Sequence, residues 1–198
     1  MIRPADSFSY AYLLGMYLGD GHLAGNGRSW QVVISLDGAH EQVIEECRAA
    51  MDLTLPARIP RLRPHPSDRC VRVASMAKAW HELLPQHGPG RKHERPIVLA
   101  PWQREIVERH TWQFVRGLVH SDGCRTMNRF KTRLPSGRVA EYAYPRYFFS
   151  NLSADIRGLF CWACDRLGLR WTQSNARNIS VSHRASVALL DEHVGPKA

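Results

Sequence analysis

Two aspartates mark where this sequence could do chemistry. Asp20 closes the run Leu13-Leu14-Gly15-Met16-Tyr17-Leu18-Gly19-Asp20-Gly21-His22. Asp122 closes Val115-Arg116-Gly117-Leu118-Val119-His120-Ser121-Asp122-Gly123-Cys124, half a chain length further on. Each run is mostly apolar, reads as a helix and passes through Asp-Gly. Two carboxylates at the negative ends of neighbouring helices repel each other. A divalent cation relieves that repulsion, and hard oxygen ligands with open positions suit Mg²⁺. Such a pair can support phosphodiester hydrolysis by metal-ion catalysis.

The small residues between the aspartates say how the runs are positioned. Gly15 and Gly19 are four apart, so they share one helix face, and Gly117 and Ser121 repeat the spacing. Without side chains in the way, two helix backbones can approach closely there. Gly15, Gly19, Gly117 and Ser121 are therefore the expected helix interface. Gly21 and Gly123 are expected to end the helices through the left-handed conformation that glycine tolerates.

At these residues the sequence resembles the LAGLIDADG homing endonucleases in their single-chain, two-motif form. Leu13 to Gly21 and Val115 to Gly123 match the nine-residue signature, with Gly at its third position and Asp-Gly at its end. The sixth position, often acidic in the family, is Leu18 in one copy and His120 in the other. The resemblance implies an α+β fold of two pseudo-symmetric αββαββα halves, 1–100 and 101–198, in one compact pseudo-dimeric unit. Antiparallel strands of both halves would form its DNA-binding surface. It implies a monomeric, Mg²⁺-dependent, site-specific double-strand DNA endonuclease, with Mn²⁺ as a substitute. Its site would be a long imperfect palindrome, cut to leave 3′ overhangs. Asp20 and Asp122, with Gly19 and Ser121 beside them, would hold the metal, one aspartate per strand cut. A lysine after the third helix of each half would polarise solvent or stabilise the transition state, and Lys92 and Lys197 match that place. Asp37 and Asn151 are candidates for the polar residue that orients water. Two alternatives use the same fold: a maturase that assists splicing of intron RNA, and a DNA-binding protein that does not cleave.

Composition agrees with a polyanionic partner. Among 198 residues, 27 Lys and Arg face 18 acids, giving a formal charge of +9 and a pI near 9.8. A charge of this sign favours nucleic acid. No apolar run reaches the roughly 18 residues of a membrane span. Residues 1 to 12 lack a basic start and cleavage site, so a cytoplasmic location is expected. Five cysteines, an odd count, argue against a disulfide framework. Cys161 and Cys164 form a lone C-x-x-C that reads as buried free thiols.

Periodicity gives the order of elements. A first helix, capped by Ser7 or Ser9, runs to about Gly19. A hairpin follows over His22–Asp37 with a turn at Gly25-Asn26-Gly27, where Trp30, Val32, Ile34 and Leu36 alternate with Gln31, Val33, Ser35 and Asp37. Ala39–Met51 reads as an amphipathic helix. Residues 57–75 read as a second hairpin around Pro64-His65-Pro66-Ser67-Asp68, and Met76–Gln86 as a helix. A linking helix, Pro101–Arg109, leads into the second motif. The order then repeats: a long hairpin of Arg125–Leu134 and Val139–Ser150, a helix over Ala154–Leu167, strands near Arg170–Asn175 and Arg177–Ser182, and a last helix over Ala185–His193.

The major groove admits a two-stranded ribbon, so the basic hairpins are the candidate DNA contacts. Along the fifth strand, Arg125, Met127, Arg129, Lys131 and Arg133 alternate with residues that include Phe130. Tyr142, Tyr144 and Arg146 are expected to continue that basic face on the return strand. In the first half the counterparts are Arg28, Gln31, Arg61, Arg63 and Arg72. Arginine bonds guanine and glutamine bonds adenine, each through two hydrogen bonds, while other side chains hold phosphates.

Overall fold

A computed structural model describes residues 2–25, 28–56, 58–64, 69–195 and 197. The expected turn residues Asn26, Gly27 and 65–68 lie outside the described residues. Among the described residues, seven α-helices and eight strands follow in the order α1 (Ser7–Asp20), β1 (Gly21–Gly25), β2 (Trp30–Asp37), α2 (Glu41–Thr54), β3 (Arg61–Pro64), β4 (Cys70–Ala77), α3 (Trp80–Leu83), α4 (Pro101–Arg109), α5 (Thr111–Asp122), β5 (Gly123–Arg133), β6 (Val139–Ser150), α6 (Ala154–Arg166), β7 (Thr172–Gln173), β8 (Asn178–Val181) and α7 (Arg184–His193). The fold is α+β, with two four-stranded antiparallel sheets ordered β1-β2-β4-β3 and β5-β6-β8-β7. No described helix is long and apolar enough to cross a membrane.

α1 is buried from Ser9 to Leu18, and α5 packs along it. An amphipathic helix at the surface buries one stripe only. A helix buried all round is a central element, and both sheets lay one face against this pair. In the first sheet that face carries Val32, Ile34, Leu36 and Val73. In the second it carries Tyr147, Phe149, Ile179 and Val181, with Phe149 stacked on Phe160 of α6 at 4.5 Å between ring centroids.

Several local expectations are corrected. The cap of α1 is Asp6, whose carboxylate accepts from the Ser9 amide at 2.9 Å; Ser7 and Ser9 already lie inside the helix. α2 begins at Glu41 and runs on to Thr54, because Ala50, Met51 and Thr54 continue its buried stripe. The helix expected over Met76–Gln86 is only Trp80–Leu83. Met76 and Ala77 pair instead with Gln31 and Trp30, so sheet pairing overrides helix propensity there. Gly21 and Gly123 are extended, with φ of −84° and −102°, rather than left-handed. Their requirement is room: a Cβ on Gly21 would stand 2.5 Å from the Tyr17 Cα, and one on Gly123 2.7 Å from the Val119 Cα. Cys164 is buried but Cys161 is only half-buried, and all five thiols are free.

Candidate active site and nucleic-acid interface

The two motif helices meet backbone to backbone. A Cβ on Gly15 would lie 2.5 Å from the Phe114 carbonyl oxygen and 2.7 Å from the Leu118 nitrogen. A Cβ on Gly117 would collide with the Tyr12 carbonyl oxygen, and one on Gly19 with the Ser121 hydroxyl. One turn further along, that last contact becomes the site, because the Gly19 Cβ position is also 3.0 Å from Asp122 Oδ2. Asp20 and Asp122 are the final residues of α1 and α5.

Two lysines reach the same helix ends. Lys92, in a single 3₁₀ turn, donates to the carbonyls of Tyr17, Leu18 and Gly19 at 2.6, 2.8 and 2.7 Å. It thereby satisfies the last turn of α1, where the Leu18 and Gly19 carbonyls lie past the last helical donor and the Tyr17 carbonyl also accepts from the Gly21 amide. Lys197 donates to the Ser121 carbonyl at 2.7 Å at the end of α5. Asn151, which follows β6, donates through Nδ2 to Asp122 Oδ2 at 2.5 Å. Asp37, at the matching end of β2, accepts from the Ala39 amide and acts electrostatically on Lys197.

These groups ionise reluctantly. Burial pushes the Asp20 carboxyl up to about 6, and the charge of Asp122 adds to the shift against the pull of Lys197 and Lys92. Burial raises Asp122 too, opposed by the Asn151 hydrogen bond and the two lysines. Burial lowers Lys92 to about 8 although both aspartates favour its charged form. Lys197 is lowered for the same reason. Two acids that resist ionisation side by side, with the oxygens of Gly19 and Ser121 next to them, form a hard-oxygen set that fits a divalent cation. Among the described residues no group of three or more His, Cys, Asp or Glu side chains is arranged for a metal, so any such site rests on this pair.

No protein-family model and no curated protein sequence matches the chain. Solved structures do. The homing endonuclease I-DmoI in complex with DNA and Mn superposes with a TM-score of 0.62 at 15% identity, over 96% of this chain and 97% of that one. The LAGLIDADG meganuclease I-AabMI bound to uncleaved DNA gives 0.57 at 9% identity, over 93% and 83%. Full-length DUF199/WhiA from Thermatoga maritima gives 0.60 at 14% identity, over 96% of this chain and 56% of that one. The chain has the LAGLIDADG endonuclease fold.

In this LAGLIDADG fold the sheets each keep one face clear of helices, and register decides which residues lie there. Partners directly opposite in an antiparallel pair share a face. On the first sheet Gln31, Arg61, Arg63 and Arg72 alternate with the buried residues and lie on the free face. With Arg28, the first three line a cleft of about 950 Å³, joined by Arg58 and Lys78, which the sequence reading did not single out. The second sheet corrects the expectation. Arg125 is opposite Tyr147, Arg129 opposite Ala143 and Lys131 opposite Glu141, so Arg125, Arg129, Lys131 and Arg133 share the face of buried Tyr147 and Phe149. Arg125 is held there by Asp191 of α7 at 2.7 and 2.9 Å, and Lys131 pairs with Glu141. Tyr142, Tyr144 and Arg146 are opposite Phe130, Asn128 and Thr126, on the other, free face. They do not continue the basic face. The alternation was legible, but the register that joins the strands was not.

A half-buried network ties the second motif to its neighbours. Arg116 donates to Glu46 of α2 at 2.6 and 3.2 Å and to the carbonyls of His193 and Val194 at 3.3 and 2.9 Å. His120 Nδ1 stands 3.0 Å from the Tyr12 hydroxyl. Burial first, and Arg116 next, hold the His120 imidazole below its usual range.

Proposed function

We propose that the chain is a monomeric, site-specific double-strand DNA endonuclease that depends on a divalent metal. Its two halves, 1–100 and 101–198, each address one half of an imperfect palindrome. One observation carries the reading: close helix packing places two hard-to-ionise carboxylates together and brings a lysine to the helix end beside each. Such an arrangement costs stability and has a use only if a cation and an anionic substrate meet there. The solved structures of this fold with DNA, one with Mn and another with Ca, support the partner and the metal class.

Asp20 and Asp122 would hold Mg²⁺, with the Gly19 and Ser121 carbonyls beside them. When bound, the metal supplies Lewis-acid stabilisation and lowers the pKa of water. The remaining work falls to the chain. Lys92 and Lys197 place positive charge next to the scissile phosphates, where it stabilises charge that grows in the transition state. Asn151 holds the Asp122 carboxylate in one orientation, which leaves its other oxygen available. Basic residues that line the cleft beside the first sheet, Arg58 and Lys78 among them, neutralise phosphates and hold the duplex in register.

The test is cleavage of a randomised duplex library in Mg²⁺, followed by the same assay on Asp20→Asn and Asp122→Asn. Each variant is expected to lose double-strand cutting while keeping Ca²⁺-supported binding. Full double-strand cutting by either one would sink the reading.

A further inference from the structure

The two free sheet faces carry different chemistry. On the first lie Gln31, Arg61, Arg63 and Arg72. Arg63 and Arg72 are directly opposite each other, an unfavourable like-charge pair. None of the three arginines has an ion-pair partner among the described residues. On the second face the large exposed residues are aromatic, beside the small Cys124, Thr132 and Ser150. Phe130 stacks on Tyr142 at 5.3 Å and meets the edge of Tyr144 at 5.5 Å, and each of the three is about two-fifths exposed. The cation on that face, Arg146, lies over the Phe148 ring at 4.2 Å. The basic residues of β5 point the other way.

The aromatic face is continuous with the carboxylate site. β5 starts at Gly123, directly after Asp122, and β6 ends at Ser150, directly before Asn151. A duplex seated on Asp122 therefore continues along this ribbon. At about 3.3 Å per strand residue, Asn128 and Phe130 stand roughly 20–26 Å from Asp122. That span equals about six to eight base pairs.

Resting on the endonuclease reading, we propose that the halves read their half-sites by different chemistry. Gln31, Arg61, Arg63 and Arg72 hydrogen-bond purine edges, chiefly guanine. Phe130, Tyr142 and Tyr144 pack against thymine methyl groups. The major groove shows the guanine N7 and O6 acceptors and the thymine methyl without ambiguity. An exposed aromatic cluster gains from burying an apolar methyl and contributes no counterion release.

The experiment is enrichment of randomised duplexes bound in Ca²⁺, then binding of the winning site with deoxyuridine replacing thymine in one half at a time. Deoxyuridine lacks only the methyl. The expected site is guanine-rich in one half and thymine-rich about six to eight base pairs from the cut in the other. Each deoxyuridine there should weaken binding about fourfold, the factor for one buried methyl-sized group. Phe130→Ala and Tyr142→Ala should erase that difference and leave the salt slope unchanged, while Arg61→Ala should relax the guanine preference at one position of the other half. Equal binding of thymine and deoxyuridine sites, or a site of one composition throughout, overturns this proposal and leaves the endonuclease reading standing. Enrichment of no duplex at all overturns both.

Discussion

Lys92 caps the helix that Asp20 ends, and burial draws the ionisation of the two toward each other. The acid is pushed up to about 6 and the amine down to about 8. Across that window Asp20 is a carboxylate and Lys92 an ammonium, each held charged partly by the other. The site is stressed before any ligand arrives.

The stress gives the metal-free protein a defined pH dependence. A carboxyl whose folded pKa lies above its unfolded one binds its proton more tightly when folded. Its stabilising contribution is present below about 4 and is lost as the pH rises through about 6. The melting temperature is therefore expected to fall over that interval by an amount that Asp20→Asn removes. At pH 8 that variant should melt higher than the parent, by about 2–4 °C for each kcal/mol relieved. Ca²⁺ should raise the melting temperature of the parent at pH 8 and do little at pH 5, where protons compete. Calorimetry at the two pH values, with and without Ca²⁺, checks both. A melting temperature that rises from pH 4 to 6 in the parent and not in Asp20→Asn would contradict the assigned sign.

Lys92→Met removes a charge and three hydrogen bonds to the end of α1. Cleavage is expected to drop about 10²–10³-fold, the usual loss for one electrostatic donor in a reacting site. The charge also lowers the Asp20 pKa, so the ionisation that limits the rate should move to higher pH in the variant. A pH–rate profile unchanged in midpoint would mean that Lys92 serves packing alone.

Gly15→Val and Gly117→Val place side-chain atoms against backbone, which has no rotamer to yield. Overpacking of about 1–3 kcal/mol is the lower range to expect. The helices must separate and Asp20 and Asp122 part with them, while catalysis is sensitive to displacements of about 1 Å. Cleavage should fall further than helix content, with a lowered melting temperature. Circular dichroism beside a nicking assay separates these effects, and normal cutting in both variants would refute the interface.

Arg116→Leu cuts the tie between α5, Glu46 and the carbonyls of His193 and Val194. Breaking a half-buried ion pair leaves Glu46 with a long hydrogen bond from Gln42 in place of its arginine, so stability falls by about 3 kcal/mol at most. Lys197 lies three residues past Val194, so its seat on Ser121 loosens. One strand should then be cut more slowly than the other, and nicked plasmid should accumulate. Equal slowing of both strands would show that the anchor does not act through Lys197.

Much of this protein was determined by its sequence alone. The repeated Gly-x-x-x-small spacing and terminal Asp-Gly specify two close helices with an acid at each end, because only small residues permit that approach. The alternation Trp30-x-Val32-x-Ile34-x-Leu36 specifies a strand with one buried face. Tertiary structure decided the rest, since it depends on partners distant in the chain. Met76 and Ala77 became strand because β2 offered them a ladder, which outweighs a few tenths of a kcal/mol of helix preference per residue. Register placed Tyr142 opposite Phe130 and sent Arg125 to Asp191, because a shift of one residue exchanges the faces of a strand. The ionisation of Asp20 and Lys92 belongs to the fold in the same way. Neither residue type has an unusual pKa until two helix ends, a loop and a buried setting enclose them together.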